Sequence, residues 1–408
     1  MARTGAFSGT AALAVLLLAV SPAGIAAEKH KVATPKQTAK PAPAAPAPVQ
    51  TPGVFTTEAR HAIIIETETG TVLFDKQADE RMPPASMSKM MTAYVVFGLL
   101  KEGRAKLTDE LPVSAEAWKT GGSKMFVPVG GRISIDNLLQ GMIVQSGNDS
   151  CIVLAEGLAG SQAAFVDMMN AKAKEIGLVD SHFDNVDGLP DPEHWMTAHD
   201  LATLAWRTIQ NFPEYYHYYS EKNFAFNNID QGNRNPLLYT TPGTDGLKTG
   251  HTDESGYSLT ASVMRGDRRI IVVENGLPSM KARGQEGQRL VEWAFREFND
   301  YKLFSAGDKL DDAETWLGTQ PKVPVVIKQD VLLTMPRRSR KDMKVTVSYT
   351  KPIPAPIQEG QQIGKVTITA PDVTTVEVPL YAGASVASIG TLGRMATVAA
   401  HLIWGNRH

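Results

Sequence analysis

The chain has 408 residues, of which 43% are hydrophobic and 21% charged, with 41 Lys and Arg against 43 Asp and Glu. This composition supports a buried core and argues against a disordered chain, and the length favours two domains. A formal net charge of −2 gives no basic surplus for binding phosphates, which argues against nucleic acid as a partner. The single cysteine, Cys151, cannot form an internal disulfide, and no Cys/His cluster indicates a metal site.

The first residues have the layout of a secretory signal peptide. Arg3 precedes an apolar run from Ala11 to Val20, and small residues follow up to Ala27. The run is too short to cross a bilayer core of roughly 30 Å as a helix, so a permanent anchor is the weaker alternative. We predict a signal peptide over residues 1–27, cleaved after Ala26 or Ala27, and export of the mature chain.

Residues 28–53 form a segment rich in proline and alanine with almost nothing to bury. Its prolines at 41, 43, 46 and 48 favour extended polyproline conformations. We predict a flexible, semi-extended linker, which alternatively serves as a leader without a binding role.

Residues 54–301 mix strand and helix patterns. Two β-rich runs joined by a short turn, His61 to Glu66 and Thr71 to Asp75, predict a hairpin. Strands return at Tyr257 to Met264 and at Arg269 to Asn275. Helices with one apolar face are predicted at Ser86 to Leu100, Ile135 to Gln145, Asp149 to Leu158, Gln162 to Ile176 and Gln285 to Phe298. Strands near both sequence ends with helices between them predict an α+β domain, with one antiparallel sheet flanked by helices.

Residues 302–382 carry short β-rich runs separated by proline and glycine, which predict a small all-β domain. These runs are Val323 to Ile327, Val331 to Thr334, Met343 to Tyr349 and Gly364 to Ile368.

Residues 383–408 contain no acidic residue and carry apolar side chains at three- and four-residue spacings from Val386 to Leu402. We predict an amphipathic helix, weakened by Gly390 and Gly393, that lies on a membrane surface or alternatively docks on its own protein.

Ser86 and Lys89 lie three residues apart at a predicted helix start, just after two prolines. Serine is a poor nucleophile unless a base takes its proton, and lysine can do so only if burial or nearby positive charge lowers its pKa. The pair therefore indicates a serine nucleophile with a lysine base, although a solvated helix start has the same pattern.

Two further short motifs follow along the chain. Ser146 and Asn148 offer a hydroxyl and an amide between two predicted helices, where helix capping by Asn148 is the simpler interpretation. Lys248, Thr249 and Gly250 begin a β-rich stretch and supply a cation, a hydroxyl and a position where a substrate backbone can approach closely. An ordinary edge strand explains the last motif equally well.

Taken together in this order, the motifs resemble the Ser-x-x-Lys, Ser-x-Asn and Lys-Thr-Gly set of penicillin-binding proteins and serine β-lactamases. The chain is more similar to the low-molecular-mass D-alanyl-D-alanine carboxypeptidases of the penicillin-binding protein 5 type. The stretches that carry this resemblance are Arg81 to Lys89, Gly121 to Val127, Gln145 to Cys151, Asp187 to Pro190 and Asp245 to Thr252. It implies a β-lactamase/transpeptidase-like catalytic domain, then the all-β domain and a C-terminal helix lying on the periplasmic face of the inner membrane. No cofactor or metal is expected.

The resemblance implies that Ser86 attacks the carbonyl of the terminal D-Ala-D-Ala bond of a peptidoglycan stem peptide and forms an acyl-enzyme. Lys89 would be the activating base. Ser146 would relay a proton toward the departing D-alanine, and Asn148 would position Lys89 and the substrate amide.

The same resemblance assigns substrate-binding roles. Lys248 and Thr249 would bind the terminal carboxylate with the help of Arg283. The backbone N–H groups of Ser86 and His251 would form the oxyanion hole, which is worth roughly 3 kcal/mol per donor. β-Lactam antibiotics would acylate Ser86 as covalent inhibitors.

Two alternatives differ from this interpretation. A class A serine β-lactamase needs a glutamate-held water, but no Glu-x-x-Leu-Asn element lies between Asn148 and Lys248, and Gly147 stands where those enzymes have aspartate. A non-catalytic penicillin-binding scaffold is disfavoured by the intact Ser86 and Lys89. Cys151 is predicted to lie near the site without taking part.

Overall fold

The computed structural model describes residues 55–391, 393 and 395. The predicted signal peptide, the whole predicted linker and most of the predicted C-terminal helix lie outside these residues. The strands up to residue 277 are β1 His61–Glu66, β2 Val72–Lys76, β3 Glu110–Pro112, β4 Arg132–Ser134, β5 Asn223–Phe226, β6 Ile229–Gly232, β7 Thr244–Thr252, β8 Gly256–Arg265 and β9 Arg268–Leu277.

The helices of the same part are α1 Lys89–Lys101, α2 Ala115–Lys119, α3 Ile135–Val144, α4 Asn148–Ala159, α5 Gln162–Ile176, α6 Ala198–Asn211, α7 Leu237–Thr240 and α8 Met280–Glu297, with 3₁₀ helices at Ala85–Ser88 and Tyr216–Ser220. Several of them begin at a serine or threonine whose side chain accepts a backbone N–H, as Ser161 does from Ala164 and Ser279 from Ala282. Because Ser279 caps α8, this helix begins five residues before the predicted Gln285. Within residues 55–391, no single helix is long and apolar enough to cross a bilayer, and only α4 and α5 together, bent by 88°, meet that test.

A five-stranded antiparallel sheet in the order β2-β1-β9-β8-β7 forms the centre of this part. Successive side chains of a strand point to opposite faces, so β1, β2 and β9 each contribute to two cores. Val273 of β9 packs in the larger core with α1 and α3 to α6, whereas Val272 packs with Leu290 of α8. The predicted α+β class, with an antiparallel sheet flanked by helices, is confirmed.

The C-terminal part is all β. Its elements are β10 Phe298–Phe304, β11 Lys309–Trp316, β12 Lys322–Val326, β13 Val331–Pro336, a 3₁₀ helix Arg337–Asp342, β14 Lys344–Tyr349, β15 Ile353–Pro354, β16 Gln362–Ala370 and β17 Val373–Ala382. Six strands form a sheet in the order β14-β16-β17-β12-β11-β15, and β10 pairs with β13. This part has its own core, in which Val325 and Leu380 are fully buried.

The predicted boundary between residues 301 and 302 falls inside β10. Phe298 at the start of this strand packs with the core under α8, whereas Tyr301 and Phe304 pack against the core of the β domain. One strand therefore belongs to both cores, and the exact domain limits stay a prediction.

The predicted helical boundary at residue 383 is too early. Val386 exchanges two backbone hydrogen bonds of 2.8 Å with Ile357, and its side chain is buried in the β-domain core. Ser388 forms a further β-bridge with Gly318. These contacts hold the backbone extended, so helical structure begins no earlier than Thr391.

Candidate active site

Ser86 lies in the 3₁₀ turn that leads into α1, half-buried at the edge of the larger core. The Nζ atom of Lys89 lies 2.8 Å from Ser86 Oγ, as the spacing of the two residues predicts. Lys89 Nζ also donates to the backbone carbonyl of Asp187. The residue before the serine, Ala85, has a φ of +49°, a left-handed conformation that strains an alanine. Such strain is held by the surrounding structure and clusters at functional sites.

Lys89 is only 1% exposed. Burial lowers the pKa of Lys89 below the ordinary lysine value of 10.5, and the positive charge of Arg234 lowers it further, against opposing contributions from Cys151, Asp187 and Asp149. A lowered pKa increases the fraction of neutral amine, which is the form that can accept the proton of Ser86.

A second serine and lysine pair faces the first. Lys248 Nζ donates to Ser146 Oγ at 2.9 Å and to the carbonyl of Thr249 at 3.2 Å. Burial lowers the pKa of Lys248 well below its ordinary value, and the positive charges of Lys89 and Arg234 add to the effect. Ser146 has a φ of +63°, so a second strained residue lies at the site.

Asn148 ties the site to the loop that covers it. Its Nδ2 donates to the carbonyl of Gly121 at 2.9 Å, and its backbone N–H donates to Ser123 at 2.7 Å. The hydrogen bonds that the structure gives Asn148 thus go to the loop, and its positioning of Lys89 stays a prediction. The sequence did not indicate that the buried carboxylate of Asp149 accepts the backbone N–H groups of the next loop segment, Met125, Phe126 and Val127, at 2.9, 2.8 and 3.2 Å.

Lys248, Thr249 and Gly250 lie on β7, at the edge of the sheet beside the serine turn. A Cβ atom on Gly250 would lie 2.8 Å from the carbonyl oxygen of Pro84. The backbone that lies close to Gly250 is therefore that of the protein's own serine turn. His251 follows at an exposed position, with its ring centroid 3.9 Å from that of Tyr257.

Arg283 projects from α8 and is 4% exposed. Its Nη2 donates to the carbonyl of Arg234 at 3.1 Å, and its buried Nε bonds to no acceptor within the described part of the chain. Burial lowers the pKa of Arg283, against the opposing charge of Glu274. The structure thus places a buried cation near the start of β8, where the guanidinium lies 6.0 Å from the ring centroid of Tyr257.

The site also contains a cation that no motif indicated, Arg234, in addition to the predicted bystander Cys151. Arg234, between β6 and α7, donates to Ser123 Oγ, and its positive charge lowers the pKa of both Lys89 and Lys248. Cys151 is fully buried with Sγ 3.3 Å from the carbonyl of Gly147, and burial raises the pKa of its thiol to about 12. A thiol with such a pKa is not a nucleophile at neutral pH.

Comparison with known proteins places this geometry in a family. The model of the D-alanyl-D-alanine carboxypeptidase family matches residues 46–277, which contain every predicted site residue except Arg283. The chain belongs to this family. A second model, for the C-terminal domain of penicillin-binding protein 5, matches residues 298–388.

The D-alanyl-D-alanine carboxypeptidase DacA of Escherichia coli (strain K12) is 37% identical to the chain, over 81% of the chain and 84% of that protein. The crystal structure of DacD from Francisella tularensis has a TM-score of 0.75 at 32% identity and covers 84% of this chain and 96% of that one. Penicillin-binding protein 5 from Haemophilus influenzae has a TM-score of 0.71 at 34% identity, covering 83% and 100%. The predicted family, fold class and serine peptidase activity are confirmed.

Proposed function

We propose that this carboxypeptidase removes the terminal D-alanine from peptidoglycan stem pentapeptides through an acyl-enzyme on Ser86. The observation that carries the proposal is the 2.8 Å contact between Ser86 Oγ and the buried amine of Lys89. A hydroxyl and an amine with a lowered pKa at hydrogen-bond distance form an activated nucleophile.

In the first step, neutral Lys89 takes the hydroxyl proton while Ser86 Oγ forms a bond to the carbonyl carbon of the penultimate D-alanine. The backbone N–H groups of Ser86 and His251 receive the negative charge that develops on the carbonyl oxygen. The C–N bond then breaks, and Ser146, bonded to Lys248 at 2.9 Å, passes a proton to the leaving amine. Ser146 in turn receives the proton that Lys89 took from Ser86, which leaves the amine of Lys89 neutral again. Water cleaves the resulting ester with Lys89 again as base, which regenerates Ser86.

Three hydrogen-bond donors on or near β7 would bind the terminal carboxylate of the substrate. The first donor is the buried amine of Lys248, which has other positively charged groups around it, and the second is the hydroxyl of Thr249. The third is the Nε of Arg283, which bonds to no acceptor among the described residues. A β-lactam carries a carboxylate and an acylating carbonyl, so the same residues would bind it and Ser86 would open its ring. We propose penicillins as covalent inhibitors on this basis.

We further propose that the chain is exported and acts at the periplasmic face of the inner membrane. The signal-peptide pattern of residues 1–27 and the acid-free segment from Thr391 to His408 support this location.

Incubation of the purified chain with a pentapeptide ending in D-Ala-D-Ala tests the proposed function. We expect release of D-alanine and labelling by fluorescent penicillin, both lost in Ser86→Ala and both retained in Ser348→Ala, which alters an exposed serine of β14. An inactive parent would favour a scaffold, and rapid turnover of benzylpenicillin would favour a β-lactamase.

A further inference from the structure

Phe126 is an exposed aromatic side chain on a rigid loop. It is 49% exposed, although phenylalanine is usually buried. Its φ of +67° is a left-handed conformation that costs on the order of 1 kcal/mol or more for a phenylalanine. The carboxylate of Asp149 holds the N–H groups on both sides of it and its own, so the ring is presented outward by a fixed backbone.

Two further apolar side chains adjoin this loop. Ile229, 38% exposed, pairs with Phe226 in the β5–β6 hairpin. In the turn of this hairpin, Asn227 Nδ2 donates to the carbonyl of Phe126 at 3.0 Å. Trp118, 48% exposed, lies in the last turn of α2 and accepts a 2.7 Å hydrogen bond from Lys124 at its carbonyl. We call Trp118, Phe126 and Ile229 the rim patch.

The rim patch is continuous with the catalytic cleft. Ser123, three residues before Phe126, accepts the backbone N–H of Asn148 at 2.7 Å and a hydrogen bond from Arg234. Three residues span at most about 10 Å, so the backbone of Phe126 lies within the length of an extended pentapeptide, roughly 17 Å, from Ser123. Exposed apolar side chains on segments that border a cleft are typical of ligand-binding surfaces.

We propose that the rim patch binds the part of the polymeric substrate upstream of its D-Ala-D-Ala end: the first stem residues and the sugar that carries them. This inference rests on the proposed function, because Ser86, Lys248 of β7 and Arg283 of α8 would hold the carboxyl end and the rest of the substrate must leave the cleft. Sugar rings present C–H faces that pack on aromatic rings. The patch therefore selects polymer-linked stem peptides over free short ones.

The test uses variants that keep the local backbone. Asparagine tolerates the left-handed conformation at 126, and threonine keeps the β-branched shape at 229, so the variants are Phe126→Asn, Ile229→Thr and their combination. Val345→Thr on β14, 40% exposed, is the matched control. D-Alanine release is measured from isolated pentapeptide-rich peptidoglycan and from a short D-Ala-D-Ala peptide, together with acylation by fluorescent penicillin.

We expect kcat/KM on the polymer to fall about tenfold in the double variant, as for the loss of a binding anchor, with the short peptide and penicillin unaffected. Equal losses on all three substrates, or no loss on the polymer, would overturn the inference. Cosedimentation of each variant with insoluble peptidoglycan gives a second readout that needs no turnover. A parent that binds peptidoglycan through the patch but releases no D-alanine would count against the proposed function alone.

Discussion

Two lysines within one buried cluster give the site its chemistry. Lys89 and Lys248 are 1% and 2% exposed, and each donates to a serine hydroxyl. A buried ammonium group is costly, and the charge of Lys89 lowers the pKa of Lys248 further. Burial therefore shifts both amines toward the neutral form, and a neutral lysine amine can act as a base.

Acylation of Ser86 is expected to speed up as pH rises, because only neutral Lys89 accepts the serine proton. Since burial lowers the pKa of Lys89, the midpoint of this rise lies below the ordinary lysine value of 10.5. Lys89→Arg, which stays protonated, should slow acylation by fluorescent penicillin about 10²- to 10⁴-fold. Lys365→Arg, an exposed lysine of β16, is the control. A midpoint at or above 10.5 in the parent would exclude Lys89 as the base.

Two glycines from different elements hold the serine turn. Gly250 of β7 packs on Pro84 and Ala85, and a Cβ there would lie 2.8 and 3.2 Å from their atoms. Gly188, with a φ of +79°, packs on the carbonyl of Ala85 from the side of the loop that supplies the Asp187 carbonyl to Lys89. The strained backbone before Ser86 is thus fixed between an edge strand and a loop.

Gly250→Ala should therefore displace the turn. A methyl group 2.8 Å from a carbonyl oxygen cannot be accommodated without backbone movement, which costs about 1–3 kcal/mol of stability. We expect acylation to slow by about 10²-fold, as misplacement of a nucleophile by about 1 Å does. Penicillin labelling and denaturant unfolding measure the two effects.

Gly98→Ala in α1 is the matched control for this change. The nearest atom to its new methyl, on Phe212, would be 3.9 Å away, and alanine favours a helix over glycine. This variant should be at least as stable as the parent and equally active. Parental acylation in Gly250→Ala would contradict the packing role of Gly250.

The elements that were predicted correctly carry start and stop signals in the sequence itself. Helix α5 runs from Gln162 to Ile176 as predicted, because Ser161 caps its start and Gly177, in the left-handed conformation, ends it. The C-terminal helix was placed too early because Val386 also fits a helical apolar stripe, and only its pairing with Ile357 shows that it is extended. For a short run, the spacing of apolar residues alone does not distinguish a helix from an extended segment.

The candidate site likewise has groups that the sequence predicts and groups that it does not. Ser86, Lys89, Ser146 and Lys248 came from short motifs, and the structure brings their side chains together as two hydrogen-bonded pairs. The Asp187 carbonyl that accepts from Lys89 is a backbone group, which no side-chain motif encodes. Arg234 is a lone arginine between segments, and its charge matters only because folding places it beside both lysines.

On the scale of the whole molecule, the β domain joins the catalytic part at the end of the sheet away from Ser86. Gly250 pairs with Ser258 near one end, whereas Glu66 pairs with Ile270 near the other. At that second end Glu66 is fully buried and accepts the backbone N–H groups of Glu68 and Thr69 at 2.8 and 2.7 Å. The β1–β2 turn is thereby shaped to meet the β domain.

Thr334 of β13 connects the two parts. Its Oγ1 lies 2.7 Å from Asp300 Oδ1, 2.7 Å from Thr69 Oγ1 and 3.2 Å from Glu66 Oε2. All of these groups are buried or partly buried, so the hydroxyl donates to the Asp300 carboxylate where water does not readily replace it. Thr334→Val keeps the shape of the side chain and removes only this hydroxyl.

We expect Thr334→Val to lower the free energy of unfolding by about 1–3 kcal/mol, since it removes the hydroxyl that donates to the partly buried carboxylate of Asp300. Acylation of Ser86 should stay at the parental rate, because the lost contacts lie at the opposite end of the sheet from the serine turn. Thr346→Val, on the exposed face of β14, controls for the substitution itself. Denaturant unfolding and penicillin labelling of the same samples separate stability from activity. Slower acylation in folded Thr334→Val would show that the β domain is coupled to the catalytic site, contrary to this expectation.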